Sequence, residues 1–155
     1  MLKPVLILCL GNEVLTDDSF GFWVARSLER NQKIIEKADV IFAPLAGFNL
    51  LELLHGRQRV LIVDTILTGK SPPGTLQLFP AGQMATSIGL TCSHQISLPT
   101  ALKLGAELGQ SMPGSIDVLT VEAQDVETLG ENPTPPVLAA VSPAIEQIES
   151  WVMKQ

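Results

Sequence analysis

Basic clusters, membrane-length apolar runs and paired cysteines are all missing from this chain of 155 residues, and each absence removes a class of function. Lys and Arg number 10 against 16 Asp and Glu, for a net charge of −6, and are never gathered into a run, so a nucleic-acid backbone finds no electrostatic footprint. A partner with a positive or metal-bearing surface fits better. No apolar run reaches the ~18 residues of a spanning helix. The opening Met1-Leu2-Lys3-Pro4 leads into a strand and not into a signal segment with a cleavage site, so a cytoplasmic protein without a membrane partner is expected. The two cysteines, Cys9 and Cys92, lack the Cys-x-x-Cys spacing of zinc or redox sites and read as free thiols. There is no Ser-His-Asp order, no Cys-His pair and no His-Glu-x-x-His helix, which leaves no resident nucleophile or catalytic zinc to nominate.

What is present is apolar. Hydrophobic residues make up 46% and charged residues 17%, a balance that excludes disorder and favours a sheet covered on both faces. The length suits one domain spanning residues 1–155, able to bury roughly two thirds of its unfolded surface. The runs Val5-Leu6-Ile7-Leu8 and Val60-Leu61-Ile62-Val63 read as buried parallel strands, within residues 4–10 and 59–65. A further strand is expected over Asp39 to Ala43 and another over Ile116 to Val121. The alternation of Thr75-Leu76-Gln77-Leu78-Phe79 is that of a half-exposed, antiparallel edge strand. Helices are expected from Asp17 and Asp18 to about residue 31, from Phe48 to His55 with Gly56 as the stop, and from Ser97 to Leu108. A last helix carries the stripe Val137, Val141, Ile145, Ile148 and Val152. Strands and helices alternate, so the fold class is α/β, a mostly parallel sheet between two helical layers.

Three short segments, Thr16-Asp17-Asp18, Val63-Asp64-Thr65 and Ser93-His94-Gln95, can bring two carboxylates and one imidazole to one crevice. Asp64 ends a strand and Asp18 lies in the loop after another, and ligands of open α/β sheets bind beyond the carboxyl ends of the strands. His94 arrives from the long Gly-, Ser- and Thr-rich loop of residues 81–96. Such a set suits a borderline divalent cation, nickel or zinc, and ligand type alone does not choose between them. A plainer reading exists for each residue. Asp18 is an adequate helix N-cap, although Asp17 can do that work and leave Asp18 for the crevice. An acid such as Asp64, buried at the end of a central strand, costs several kcal/mol unless paired or metal-bound, which favours a functional role. His55, in the last turn of a helix, suits the dipole and is assigned no role. The Gly11-Asn12 turn lacks the glycine pattern of a dinucleotide fold, and Asp17 and Asp18 would repel a pyrophosphate there.

In these residues the chain resembles the hydrogenase maturation endopeptidases. Their signature of a hydrophobic strand, Gly-Asn, a short apolar stretch, paired acids and a glycine is matched here by Val5-Leu6-Ile7-Leu8, Gly11-Asn12, Leu15, Asp17-Asp18 and Gly21. Their second acid after a strand is matched by Asp64, and their Ser/Thr-His loop before a helix by Ser93-His94. The resemblance implies a mixed five-stranded sheet and metal contacts at Asp18, Asp64 and His94. It also implies an activity: removal of the C-terminal extension of a nickel-iron hydrogenase large-subunit precursor, with nickel carried by that precursor as the recognition element. A monomer is expected. The chain departs from the family at Ser19, where glycine is common, at Glu13, and at Phe42-Ala43-Pro44-Leu45, where Asp-Gly-Gly-Thr is usual. Thr120-Val121-Glu122-Ala123 keeps the acid of a Gly-x-Gln/Glu-Pro segment but loses its neighbours. The altered loop beside the crevice suggests the rival reading, a metal-sensing or chaperone-like module that docks on the precursor without cutting it.

Overall fold

Continuous apolar sequence can be buried on both sides only in the middle of a covered sheet, and that is where the two apolar runs lie. The computed structural model describes residues 1–44, 48–83 and 98–154. Its five strands are β1 (Val5–Leu10), β2 (Asp39–Ala43), β3 (Arg59–Ile66), β4 (Leu76–Pro80) and β5 (Ser115–Glu122), arranged in the order β2-β1-β3-β5-β4. The first three and β5 are parallel, while β4 pairs antiparallel with β5 as the outer strand.

Successive side chains leave opposite faces of the sheet and build two cores. On one face Ile7, Cys9, Leu61, Val63, Leu119 and Val121 meet Phe20, Val24 and Leu28 of α1 (Phe20–Leu28) and Ile148 and Trp151 of α6 (Val141–Met153). On the other, Leu6, Leu8, Val60, Ile62 and Val118 meet Leu50 and Leu54 of α3 (Phe48–Leu54) and Leu104 of α4 (Leu98–Glu107). This is the three-layer α/β/α arrangement expected of the sequence, with the mixed sheet and antiparallel edge in their expected places.

Two helices differ from the sequence reading. The first does not begin at the acids or run to residue 31: a 3-10 turn, Thr16–Ser19, precedes α1, which ends at Leu28. A separate short helix, α2 (Gln32–Ile35), then starts where the Asn31 side chain accepts the Ile34 N–H. The C-terminal helix is likewise two, α5 (Pro135–Ala139) and α6. Pro143 explains the break, because it has no N–H to offer the Ala139 carbonyl that a continuous helix would need to satisfy.

The strand order places the site. From β1 the chain crosses to β2 on one side, then passes back over β1 to β3 on the other, so the crevice between the carboxyl ends of β1 and β3 is a topological switch point.

Candidate active site

Both acids expected at that crevice reach it. Asp64 is the sixth residue of β3 and fully buried, and Asp18, on the turn after β1, is 6% exposed. Thr65 joins them. Its hydroxyl donates to Asp18 Oδ1 at 2.9 Å, and its backbone N–H donates to Asp64 Oδ1 at 2.7 Å.

Two glycines make the approach of Asp18 possible. A Cβ on Gly11 would lie 2.2 Å from the Asp18 carbonyl oxygen, and one on Gly21 would lie 2.2 Å from that of Leu10. The turn and the start of α1 therefore rest directly on the end of β1, with the Asn12 N–H donating to the Asp18 carbonyl at 3.0 Å. At the start of the turn, Thr16 has φ of 42°, the only positive φ at a described non-glycine residue. A β-branched residue there is strained by about 1–2 kcal/mol. It is held by its N–H to Gly130 O at 2.9 Å and by its hydroxyl to the Thr128 carbonyl.

Asp17 is not the helix cap that the sequence suggested. Neither the 3-10 turn nor α1 has a side-chain cap, and the buried Asp17 carboxylate turns instead toward the loop after β5. It accepts the N–H groups of Gln124, Asp125 and Thr134 at 2.7, 2.8 and 2.6 Å, together with the Thr134 hydroxyl at 2.7 Å. The reason is geometric: consecutive residues of a 3-10 turn diverge by about a third of a rotation, so two adjacent acids serve different partners. Glu122 plays a similar part on the other flank, accepting from Thr68 N at 2.8 Å and from the Thr68 hydroxyl. Asp125 is held below the usual carboxylate range by hydrogen bonds from the Thr128 side chain and from the Thr128 and Glu127 N–H groups.

His94 and Cys92 lie outside the described residues, as do Leu45 of the altered Phe42-Ala43-Pro44-Leu45 segment and the Ala46 and Gly47 that follow it. Helix α4 ends at Glu107 and the chain re-enters the sheet at Ser115, the amino end of β5, so α4 runs away from the carboxyl edge. His94 stands four positions before its first residue. Among the described residues no group of three His, Cys, Asp or Glu side chains is assembled. Two carboxylates at one edge are thus the described part of the expected set. On the face of Asp64, its register partner Thr120 is fully buried, and among the described residues its hydroxyl has no hydrogen-bond partner.

Among the described residues, one thiol and one imidazole remain, and both have structural roles. Cys9 is buried inside β1, and burial, reinforced by the charges of Glu29 and Asp64, pushes its thiol far above the usual range, which makes it inert. His55 follows α3, and its Nδ1 accepts the Ser111 N–H at 3.1 Å. The ring therefore ties two connections together at the amino edge. Sequence reading missed Thr65, Thr134 and the latching role of Asp17. Only Thr65 carried a signal, as a hydrogen-bonding residue next to a buried acid.

Residues 23–151 match the family model described as hydrogenase maturation protease. Over 146 residues the chain is 27% identical to the Hydrogenase 2 maturation protease of Escherichia coli (strain K12), covering 93% of this chain and 87% of that one. The nickel-iron hydrogenase maturation protease HybD from Thermococcus kodakarensis is similar in structure, with a TM-score of 0.73 and 26% identity over 98% of this chain and 99% of that one. The hydrogenase maturating endopeptidase HybD from E. coli gives a TM-score of 0.73 at 25% identity, over 96% and 90%. A sheet with its switch point between β1 and β3, and a family match that runs through most of the chain, lead to one assignment: the chain belongs to the hydrogenase maturation protease family.

Proposed function

We propose that this endopeptidase removes the C-terminal extension of a nickel-iron hydrogenase large-subunit precursor once nickel is in place, and that Asp18, Asp64 and His94 engage the nickel the precursor carries. The observation that carries the reading is the meeting of Asp18 and Asp64 at Thr65, on the crevice between β1 and β3. Two carboxylates buried at one edge repel each other and lose hydration, and a docking cation offsets both costs. The proposed donor set is two carboxylates and an imidazole without thiolate, which suits a borderline ion but holds it less firmly than a cysteine-rich site. Nickel thereby stays with the precursor and serves as the mark by which this chain recognises it.

A metal centre at a scissile carbonyl polarises it and lowers the pKa of an attacking water. The residues of this chain supply placement. Thr65 fixes one oxygen of each carboxylate, the Gly11 and Gly21 contacts seat the turn, and Asp17 holds that turn to the loop after β5. The substrate is thus met by acids that need little reorganisation.

The proposal includes a monomeric state in the cytoplasm. Light scattering should give a mass near 16.6 kDa. The central test uses enzyme stripped by a chelator and then mixed with precursor that does or does not contain nickel. Release of the tail from the nickel-loaded precursor alone is expected; equal cleavage of both would reject the substrate-metal mechanism.

A further inference from the structure

We propose that Thr65 is the positioning residue of this site, holding Asp18 and Asp64 at the spacing at which both can engage one divalent centre of the substrate. The inference rests on the function proposed above and deepens it. Thr65 is 1% exposed and donates a hydrogen bond to each of the two acids. The paired register of β1 and β3 ends at Cys9↔Val63, and beyond that point the Thr65 N–H goes to Asp64 Oδ1. The Thr65 hydroxyl spans from β3 to the turn after β1 and donates to Asp18 Oδ1.

Two like charges so placed tend to turn away from each other. A hydroxyl proton and an amide proton, one aimed at each carboxylate, oppose that and choose which oxygen each acid turns toward the strand. The amide is available from any residue except proline, but the hydroxyl requires Ser or Thr, and the β-branch of Thr restricts χ1 so that the donor stays aimed. Thr65 touches no reacting atom in this scheme. It acts through Asp18, and losing such an orienting partner typically lowers activity about 10–100-fold.

The experiment compares Thr65→Val, which keeps the shape and removes the donor, with Thr65→Ser, which keeps the donor. Both full-length variants are assayed on the nickel-loaded precursor, with wild type as the control. Thr65→Val should lose about 10–100-fold in kcat with KM for the precursor within about twofold, whereas Thr65→Ser should stay within about threefold of wild type. A merely structural role would lower stability in both variants without this split. A crystal structure of Thr65→Val supplies a readout that needs no activity: the Asp18 carboxylate should swing away from β3. Wild-type kcat in Thr65→Val, equal impairment of Thr65→Ser, or an unmoved Asp18 would each overturn the proposal. Should the valine variant fold poorly, Thr65→Ala takes its place, and a folded alanine variant with wild-type kcat would overturn it equally. A wild-type protein that fails to cleave would reject the protease reading instead, leaving the position of Asp18 to decide the role of Thr65.

Discussion

Thr134 gives both its N–H and its hydroxyl to Oδ1 of Asp17, at 2.6 and 2.7 Å, across a separation of 117 residues. With Gln124 and Asp125 on the second oxygen, this buried carboxylate closes the loop after β5 onto the loop after β1. Asp17→Asn would turn one acceptor into an NH2 group facing N–H donors. Two donors would lose their partner at about 1–3 kcal/mol each, so a loss of about 3 kcal/mol is expected in urea unfolding. Cleavage should fall with it because Asp18 shares the turn. An unchanged unfolding midpoint would show that the latch does not hold the edge.

Asp64→Asn keeps an oxygen for the Thr65 N–H, so the variant should fold with an unfolding midpoint close to wild type. It removes a charge from the site, and processing of the precursor should drop by more than about 100-fold, beyond what an outer-shell substitution costs. His94→Ala should be more severe still, since it deletes the whole side chain. Gel analysis of the released tail measures both, and wild-type processing by either folded variant would remove that residue from the site.

Gly21→Ala tests the seat of α1. The added methyl would lie 2.2 Å from a backbone carbonyl oxygen, a contact no side-chain rotation relieves. Overpacking of this kind costs about 1–3 kcal/mol and sometimes more. In a chain of this size a loss of about 3 kcal/mol lowers Tm by roughly 6–12 °C, which calorimetry resolves.

Asp39 and Arg57 give a prediction about pH. Partial burial pushes the Asp39 carboxyl up, but hydrogen bonds from Arg57 and the Lys3 N–H, helped by both positive charges, outweigh it and hold the group below its ordinary 3.8. A carboxyl with a depressed folded value contributes stability above its unfolded value and loses it as pH falls through the folded one. The gap between wild type and Asp39→Asn should therefore be full at pH 7 and at pH 5 and should narrow as the pH falls below the ordinary 3.8, toward about pH 2. At pH 7 it should be about 2 kcal/mol, less than a fully buried pair because the Asp39 side chain is 27% exposed. Urea unfolding at these three pH values measures it, and a gap independent of pH would assign the stability to shape instead of charge.

The central strands were legible because their burial is written as continuous apolar sequence, and the edge strand because Leu76 to Phe79 alternates. The carboxyl edge where Asp18 and Asp64 stand followed from the alternation of strands and helices, whereas the strand order that makes it a switch point came only with the fold. The division of labour between the paired acids was not legible. Nothing local distinguishes Asp17 from Asp18, and the groups that do, Thr65 and Thr134, lie 47 and 117 residues away. The strained Thr16 is hidden for the same reason, since only its bonds to Gly130 and Thr128 make such a backbone tolerable. Local pattern reports burial; long-range polar pairing is settled only when the loops meet.

Those meetings form a circuit: Asp17 joins the β1 loop to the β5 loop, Glu122 joins β5 to the β3 loop, and Thr65 joins β3 back to the β1 loop. The circuit also sets a clock. A ribosome delivers Asp18 and Asp64 first, yet the turn that carries Asp18 is latched only after Thr134 has emerged and docked. A nascent or truncated chain ending before Thr134 holds both acids without the clamp that orders their turn, so that order waits for a segment far beyond either acid in the sequence.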